Sequence, residues 1–285
     1  MKLTVALATY NEESNLRDCL ESVENIADEI IIVDGGSQDK TVEIAKDFKA
    51  KVLQTNNPPI FHINKQKALD KASYDWILQL DADERVTRKL AAEIKKIIEM
   101  NNDQIEKYQQ NLPNKSLFLR HQKLLEHRDG NIGDNGNYSA FFIPRLNYFL
   151  GKYLKYGGVY PDGVIRLVKK DKARFPCKDV HEQIEVYGKV GWLQNDLIHM
   201  ADPTFKRYLI RNSKYINLIA GQLKNQDTGK NPVQFAKHFL VKPFWWFFLT
   251  QIRHKGILDG PQGIIFSFFS ALRFPRAYWR YLIEK

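Results

Sequence analysis

The sequence predicts an α/β fold with a mostly parallel sheet, followed by a helical C-terminal extension. Two continuous apolar runs, EIIIVD (29–34) and WILQLD (76–81), are typical of strands that are buried on both faces, as they are in parallel sheets. Helical patterns alternate with such runs over residues 1–100, which favours a doubly wound arrangement. At 285 residues and 44% hydrophobic, the chain can form one large α/β domain with an appendage.

The elements of this first part can be assigned in order. The first strand is LTVALA (3–8), and apolar residues at i, i+3, i+4 and i+7 predict an amphipathic helix over 13–26. After EIIIVD come a short helix, TVEIAKDF, a weak strand, KVLQT (51–55), and a helix over 62–73. WILQLD is the fourth strand, and Thr87 is placed to N-cap the helix that follows it.

The rest of the chain changes character along its length. Residues 101–137 are polar and rich in Asn, Gln and Gly, which predicts loops or an insertion. Residues 138–200 contain short β-rich runs, and residues 203–224 predict a helix. Residues 235–283 then combine dense aromatic side chains with scattered basic ones.

The net charge of +10 is unevenly distributed. Residues 201–285 contain 14 Lys and Arg against 4 Asp and Glu, whereas residues 1–200 contain 29 of each. The excess therefore lies in the C-terminal third of the chain. Such asymmetry indicates a polyanionic partner, either nucleic acid or an anionic membrane surface.

The cysteine usage and the first residues indicate a cytoplasmic protein. Cys19 and Cys177 are too few and too far apart for a disulfide framework or a zinc site. The opening MKLTVALATYNEE shows no charged n-region, long apolar core or small-residue cleavage site, so we predict no signal peptide. We therefore expect both thiols to be reduced.

The motif Asp81-Ala82-Asp83 follows directly after the apolar run WILQL. Open α/β sheets bind ligands outside the carboxyl ends of their strands. Two carboxylates one residue apart at such a strand end can share a hard divalent cation with phosphate oxygens. A single Asp-x-Asp is more often a turn or a helix cap, so the interpretation depends on what the neighbouring strand ends carry.

Two other strand ends also carry polar clusters. Asp34-Gly35-Gly36 follows EIIIV, where glycines would let the backbone approach a ligand and Asp34 could accept from a base N–H or a ribose hydroxyl. The segment ATYNE (8–12) lies at the end of the first strand, where its short polar groups could line the same crevice. The Asp34 cluster could also be an ordinary βα loop with Asp39 as a helix cap. Polar clusters at three strand ends nevertheless favour one nucleotide site over three unrelated turns.

The segments TYNEESNLRDCLESV, DEIIIVDGGSQDKTVEIA and WILQLDADE resemble family 2 glycosyltransferases of the GT-A fold. Within that family the sequence is similar to the lipopolysaccharide-core β-glucosyltransferase-like branch. The similarity is strong over residues 1–90 and moderate over 150–205. It implies a nucleotide-sugar donor, usually UDP-linked, with Mg²⁺ or Mn²⁺ as cofactor. It also implies transfer of a hexose with inversion at its anomeric carbon.

The resemblance implies roles for the residues at the first two strand ends. Thr9, Tyr10 and Glu12 would line the nucleoside pocket. Asp34 would read the base, with the backbone of Gly35 close to the ligand.

The resemblance also implies a phosphate and metal site. Asp83 would be the main metal ligand, and Asp81 would face the ribose or the metal, with Ala82 between them at the donor. Lys65 stands where the family often has a basic residue near the phosphates. His199, in LIHM, matches a position that can complete the metal or diphosphate site, with a hydrogen-bonded core histidine as the competing interpretation.

An inverting transfer needs a side chain that takes the proton of the attacking acceptor hydroxyl. The segment VHE (180–182) resembles the one in which the family carries this group, which implies Glu182 as the base. Asp179 is the second candidate, and a hydrogen-bonded strand pair is the alternative for His181 and Glu182. The residues expected on the acceptor side are Tyr160, Asp162 and Arg166.

The family pattern also predicts the domain organisation. We expect a catalytic GT-A domain over residues 1–200, with a nucleotide-binding half (1–100) and an acceptor-binding half (138–200). Residues 201–285 would form a helical, basic and amphipathic extension.

The extension contains two apolar runs, FWWFFL (244–249) and IIFSFFSALRF (264–274), and both are much shorter than a membrane span. Aromatic residues interleaved with basic ones favour an interfacial helix pair on an anionic leaflet. We therefore expect a peripheral membrane protein. The family resemblance agrees, because it implies a saccharide or lipid-linked acceptor at the inner face of the cytoplasmic membrane. Alternatively these helices pack on the catalytic domain or on a second subunit in a homodimer.

Three other classes of function fit less well. A sugar-nucleotide nucleotidyltransferase would carry a Gly-rich, basic loop after the first strand, where this chain has TYNEESN. A nucleic-acid-binding protein would not need acidic strand ends, which repel phosphate in the absence of a metal. A non-catalytic scaffold would not need Asp81, Asp83 and Glu182 together.

Overall fold

The computed structural model describes residues 1–178 and 183–283. The chain forms two compact units. The first unit contains residues 1–145 and 161–199, and the second contains residues 146–160 and the chain from residue 200 onward. The first is a mixed α/β unit and the C-terminal region is helical, so the predicted fold class is confirmed.

The strands and helices are numbered in chain order. The strands of the described chain are β1 (Leu3–Thr9), β2 (Glu29–Asp34), β3 (Lys51–Gln54), β4 (Trp76–Leu80), β5 (Glu84–Val86), β6 (Tyr138–Phe149), β7 (Lys152–Leu154), β8 (Asp162–Lys169), β9 (Ala173–Arg174), β10 (Glu185–Val186), β11 (Lys189–Trp192) and β12 (Leu197–Asp202). The α-helices are α1 (Leu16–Val23), α2 (Thr41–Asp47), α3 (His62–Asp70), α4 (Arg88–Glu99), α5 (Asn102–Gln110), α6 (Lys115–Asp129), α7 (Phe205–Asn225), α8 (Pro232–Ala236), α9 (Lys242–Phe248), α10 (Gly260–Ala271) and α11 (Arg273–Ile283).

The first four strands form the parallel part of the sheet, in the order β3-β2-β1-β4. Thr9 pairs with Asp34 across β1 and β2, and Leu7 pairs with Leu80 across β1 and β4. These strands therefore end at one edge, and their polar termini come together there. Beyond β4 the sheet continues with antiparallel neighbours, β8 against β4 and β6 against β8.

Helices cover both faces of this sheet. Side chains of α1, α4 and α5 pack with Leu3, Val5 and Leu7 of β1 on one face. Side chains of α3 and α6 pack with Ala6 on the other face. The alternation along β1 is that of a strand buried on both sides, as its apolar sequence predicts. Thr87 accepts a hydrogen bond from the backbone N–H of Leu90, which confirms it as the N-cap of α4.

Residues 101–137 differ from the predicted loops, because most of them form α5 and α6. Asn101 begins α5 with a capping box, in which its side chain accepts from Gln104 and Gln104 accepts from its backbone N–H. Phe118 of α6 stacks on Trp192 at 4.6 Å between ring centroids. The polar composition reflects helices with a narrow buried stripe. The β-rich character predicted for residues 138–200 is confirmed by β6 to β12.

The second unit is held together mainly by helices. The helix predicted over 203–224 is α7, and its Ile216 and Ala220 pack against Ala277 and Tyr278 of α11. Among the described residues, no helix is both long and apolar enough to cross a membrane.

A buried carboxylate of β2 joins the neighbouring strands β1 and β3 of the parallel sheet. Glu29 accepts from Thr4 Oγ1 at 2.8 Å and from Ser73 Oγ at 2.7 Å, and its Oε1 lies 2.6 Å from Lys51 Nζ. Burial alone would raise the pKa of Glu29, but these hydrogen bonds outweigh it and lower the pKa to about 2. The ionised form thus stabilises the folded state above the ordinary pKa of 4.5, and this stability is lost as the pH falls towards 2.

We expect Glu29→Gln to lower the free energy of unfolding at neutral pH by up to about 3 kcal/mol, since one pKa unit corresponds to about 1.4 kcal/mol. Urea unfolding at neutral pH and in acid measures this, and the difference from wild type should shrink in acid because Glu29 is then protonated. The exposed Glu24→Gln is the matched control and should change little at either pH. An equal loss of unfolding free energy for Glu29→Gln at both pH values would contradict a stabilising role of the ionised Glu29 carboxylate.

Candidate active site

A cleft of about 320 Å³ opens in the first unit at the carboxyl ends of β1 and β4. Its size lies within the usual range for small-molecule sites. All but two of the donor- and metal-binding residues predicted within the described chain line it. The lining residues are Ala8, Thr9, Tyr10, Glu12, Asn57, Phe61, Asn64, Lys65, Asp81, Ala82, Asp83 and His199.

Asp34 and Gly35 are the two predicted residues that do not line the cleft. Asp34 is fully buried and accepts from Thr9 Oγ1 at 3.1 Å and from Ser37 Oγ at 2.6 Å. Its other oxygen accepts from the backbone N–H groups of Gly36 and Ser37. Asp34 therefore fixes the loop after β2 against the end of β1.

Gly35 lies behind a residue of the cleft wall, Asn57, and leaves space for it. Its backbone N–H donates to the carbonyl of Thr9 at 2.8 Å. A Cβ at this position would lie 3.1 Å from Cβ of Asn57, which lines the cleft. A side chain at residue 35 would therefore press on the cleft wall.

Asp81 lies in a network of buried charges. Its Oδ1 lies 2.5 Å from Lys65 Nζ, and its Oδ2 lies 2.5 Å from Arg166 Nη2. The same Arg166 nitrogen lies 2.8 Å from Glu84 Oε1, and the other oxygen of Glu84 accepts from the backbone N–H of Asp81 at 3.0 Å. Arg166 also donates to the side-chain oxygen of Gln79. This network fixes the loop that carries the Asp81-Ala82-Asp83 motif.

The charges of the network fix the ionisation of Asp81. Burial alone would raise the pKa of Asp81, but Arg166 and then Lys65 outweigh it and hold this pKa well below its usual range. Burial lowers the pKa of Lys65, and Asp81 offsets only part of that effect. Asp81 is thus anionic and already paired, while Lys65 is the cation at the cleft wall that has most to gain from an additional anion.

Asp83 and His199 face each other across the same cleft. Asp83 Oδ2 lies 3.6 Å from His199 Nε2, and their side chains are 20% and 15% exposed. The antiparallel pairing of β12 with β5 places His199 opposite Glu84 and so beside the motif. This partly exposed pair is the part of the site best placed to contact a ligand or a metal.

The chemistry of these two side chains fits a divalent cation. A carboxylate oxygen is a hard ligand, and an imidazole nitrogen suits a transition metal better than Mg²⁺. Within residues 1–178 and 183–283 there is no cluster of three or more His, Cys, Asp or Glu that could hold a metal. A metal at Asp83 and His199 would therefore need further oxygen ligands, such as those of a diphosphate.

Sequence reasoning did not identify three residues of the cleft, which are Asn57, Phe61 and Asn64. Asn64 is buried and its Nδ2 donates to the carbonyl of Asn56 at 3.0 Å. Its Oδ1 is buried in the cleft wall without a hydrogen-bond partner among the described residues. The signal that could have found Asn57 is the segment NNPP (56–59), a further polar strand end after β3.

The remaining predicted residues have different outcomes. Arg166 was expected on the acceptor side, but it is buried beside Asp81 and Glu84 because two carboxylates need a cation there. Asp162 lies 2.7 Å from Arg145. Glu182 and Asp179, the candidates for the base, lie outside the described residues.

The fold and this cleft define an α/β protein with a candidate ligand site at the carboxyl ends of parallel strands, and comparison with known proteins specifies the family. Residues 4–171 match the sequence model described as Glycosyl transferase family 2. This match covers more than half of the chain, so the protein belongs to glycosyltransferase family 2.

Two curated relatives align along almost the whole chain. An uncharacterized glycosyltransferase from Rickettsia conorii is 26% identical over 95% of this chain and 88% of its own length. The lipopolysaccharide core biosynthesis glycosyltransferase LpsC from Rhizobium meliloti is 26% identical over 96% of this chain and 92% of its own length. Among solved structures, glucosyl-3-phosphoglycerate synthase from Mycobacterium tuberculosis is 24% identical, with a TM-score of 0.27, over 29% of this chain and 34% of its own. That overlap is too small to support conclusions about ligands.

Proposed function

We propose that this glycosyltransferase moves a hexose from a UDP-linked donor to a saccharide or lipid-linked acceptor, with inversion and with Mg²⁺ or Mn²⁺. The observation that carries the proposal is the cleft itself, where Lys65, Asp83 and His199 come together at the carboxyl ends of parallel strands. Its place in cell-surface glycan synthesis is supported by similarity to LpsC, a lipopolysaccharide core biosynthesis glycosyltransferase.

Different residues of the cleft would contact different parts of the donor. Thr9, Tyr10 and Glu12 lie on the β1 side, where they would contact the nucleoside. Asn64 offers a buried oxygen for a ligand N–H or hydroxyl. Asp34 acts from behind by fixing the β2 loop against Thr9.

The diphosphate would lie between Lys65 and the pair of Asp83 and His199. Lys65 is held by Asp81, which Arg166 already compensates, so Lys65 can contact a phosphate without leaving Asp81 unpaired. A divalent cation bound by Asp83 and His199 would neutralise charge on the leaving nucleoside diphosphate. Asp81 then serves mainly to position Lys65, and it would face the ribose of the donor.

The acceptor hydroxyl would attack the anomeric carbon from the face opposite the diphosphate. A bond forms between the acceptor oxygen and the sugar as the bond to the diphosphate breaks. Glu182 takes the proton of the hydroxyl, with Asp179 as the second candidate.

We expect Glu182→Gln to lower kcat by roughly 10²–10⁴-fold, because a general base contributes about this much. Donor binding should be unchanged, since the base contacts the acceptor. The experiment screens nucleotide sugars for binding with and without Mn²⁺, and then measures sugar transfer for wild type, Glu182→Gln and Asp179→Asn.

Two outcomes would overturn parts of this proposal. Wild-type turnover in Glu182→Gln, with loss in Asp179→Asn, would transfer the role of base to Asp179. Failure of every nucleotide sugar to bind or turn over would contradict the proposed donor class.

A further inference from the structure

Part of the second unit is packed with its polar and small side chains inside. Thr250 and Gln251 are buried, although they lie in a helical segment that runs continuously from Pro232 to Arg253. Gln251 Nε2 donates to Ser267 Oγ at 2.6 Å and to the carbonyl of Gly263 at 3.1 Å. These partners belong to α10, so the two helices meet through hydroxyl, amide and glycine groups.

The same interface continues one turn earlier along the first helix. Trp246 Nε1 donates to Ser270 Oγ at 3.0 Å, and Ser270 is itself buried. A Cβ on Gly263 would lie 2.1 Å from the carbonyl oxygen of Gly256, so only glycine permits this close approach. Small residues that allow close contact, joined by polar hydrogen bonds, are typical of helix packing in membranes.

Six of the large apolar side chains of this segment point outward instead. We call the outward stripe on the 237–253 helix the apolar face, and each of its members is 53–70% exposed. It consists of Leu240, Val241, Phe244, Trp245, Phe248 and Ile252. An amphipathic helix of a water-soluble protein has the opposite arrangement, with its apolar stripe towards the core. Monomeric soluble proteins rarely expose so large a contiguous apolar stripe.

The other helix pair of the same unit shows the ordinary arrangement. α7 and α11 bury Ile216, Ala220, Ala277 and Tyr278 between them. α7 and α11 thus join through apolar side chains, whereas the contact of the 237–253 helix with α10 contains the hydroxyl, amide and glycine groups described above.

The charged residues over 232–283, the stretch that contains the apolar face, are almost all positive. Residues 232–283 contain seven Lys and Arg against one acidic residue, Asp259, which is buried. Lys237 and Arg253 are exposed at the two ends of the apolar face, and the exposed Lys255 follows. An exposed aromatic stripe between basic side chains is complementary to a lipid surface with anionic headgroups.

From this packing and charge we propose that the apolar face docks on an anionic lipid bilayer. Trp245, Phe248 and their neighbours enter the acyl boundary, and Lys237 and Arg253 contact the headgroups. A second copy of the chain is the competing occupant of this face. It would bring the same excess of positive charge to the contact, whereas anionic lipid neutralises it.

Vesicle flotation tests this proposal on the full chain. We expect wild type to float with vesicles of phosphatidylcholine and phosphatidylglycerol, and much less with phosphatidylcholine alone. Trp245→Gln with Phe248→Gln should lower the partition coefficient by at least about tenfold, because the transfer of two large apolar side chains into lipid is lost. Both sites are more than half exposed, so an unchanged thermal midpoint should show that the variant folds.

The matched control replaces two exposed leucines of α6, Leu119→Gln with Leu124→Gln, and should float like wild type. Lys237→Gln with Arg253→Gln should lose much of the preference for phosphatidylglycerol. Asp83→Asn should float normally, which separates this proposal from that of the donor site.

Three results would overturn the proposal. The first is that wild type does not float with anionic vesicles. The second is that the Trp245→Gln/Phe248→Gln variant floats like wild type. The third is that the Lys237→Gln/Arg253→Gln variant keeps the full preference for phosphatidylglycerol. A second copy of the chain occupies the face instead if two results are found together. Wild type does not bind vesicles, and sedimentation shows wild type as a dimer and the Trp245→Gln/Phe248→Gln variant as a monomer.

Discussion

Asp83→Asn should reduce kcat/KM for sugar transfer by roughly 10²–10³-fold, since the charge stabilisation that a metal provides is worth several kcal/mol. Asp83 is the carboxylate of the motif that faces His199 across the cleft, whereas Asp81 is already paired with two cations. The amide keeps the size of the side chain and removes the charge that a divalent cation requires. Transfer assays over a range of Mn²⁺ concentrations measure the loss, which excess metal should only partly restore.

The exposed Asp103→Asn in α5 is the matched control, because it removes the same charge from the same unit at a distance from the cleft lining. It should transfer sugar like wild type. Full activity of Asp83→Asn at ordinary Mn²⁺ concentrations would remove Asp83 from the metal site and leave the motif with a structural role.

Arg166→Met should lower the free energy of unfolding by about 3–5 kcal/mol, the usual cost of removing one partner from a buried ion pair. Arg166 bridges Asp81 and Glu84, and Glu84 is fully buried. Without the guanidinium, two neighbouring carboxylates remain in the core of the site. Urea unfolding measures the loss, and donor binding should weaken as well because the motif loop loses its anchor.

A second variant separates unpaired charge from lost packing. Adding Glu84→Gln to Arg166→Met removes one of the two carboxylates that lose the guanidinium, which leaves Asp81 paired with Lys65, and should recover part of the stability. The exposed Arg120→Met is the control for loss of a surface arginine and should unfold close to wild type. If Arg166→Met unfolds at the wild-type urea concentration, the network does not support the motif loop.

The parallel half of the fold could be predicted because its strands are continuous apolar runs. β2 and β4 lie where EIIIVD and WILQLD stand, and α1 buries the residues of its i, i+3, i+4, i+7 pattern. The helices α5 and α6 were missed because residues 101–137 as a whole are polar and rich in Asn, Gln and Gly, which is typical of loops. Their signal is the Asn101–Gln104 capping box and a few buried side chains such as Phe118.

The candidate site was predictable to the extent that strand ends share one edge of the sheet. Thr9, Asp81 and Asp83 follow β1 and β4, so topology alone brings them together. The partnership of Asp81 with Arg166 was not predictable, since 85 residues separate them and only the antiparallel return of β8 beside β4 joins them. The sequence also could not show that both carboxylate oxygens of Asp34 accept hydrogen bonds from Thr9 and from the loop after β2.

The outward direction of the apolar face is another feature that could not be predicted from the sequence. Dense aromatic and basic residues over 235–283 predicted a surface helix pair. Only the structure shows that Gln251 and Ser267 lie inside while Trp245 and Phe248 lie outside. Hydrophobic content alone cannot distinguish a helix that buries its aromatic residues from one that exposes them.

The most direct test of the donor site is a calorimetric titration of UDP into the protein with Mn²⁺ and again with EDTA. We predict that wild type binds UDP with Mn²⁺ and that chelation weakens binding by at least about tenfold. Asp83→Asn with Mn²⁺ should bind as weakly as wild type without metal, while Asp103→Asn should match wild type in both conditions. Equally tight UDP binding by wild type and Asp83→Asn, with and without Mn²⁺, would contradict a metal-assisted donor site at Asp83 and His199.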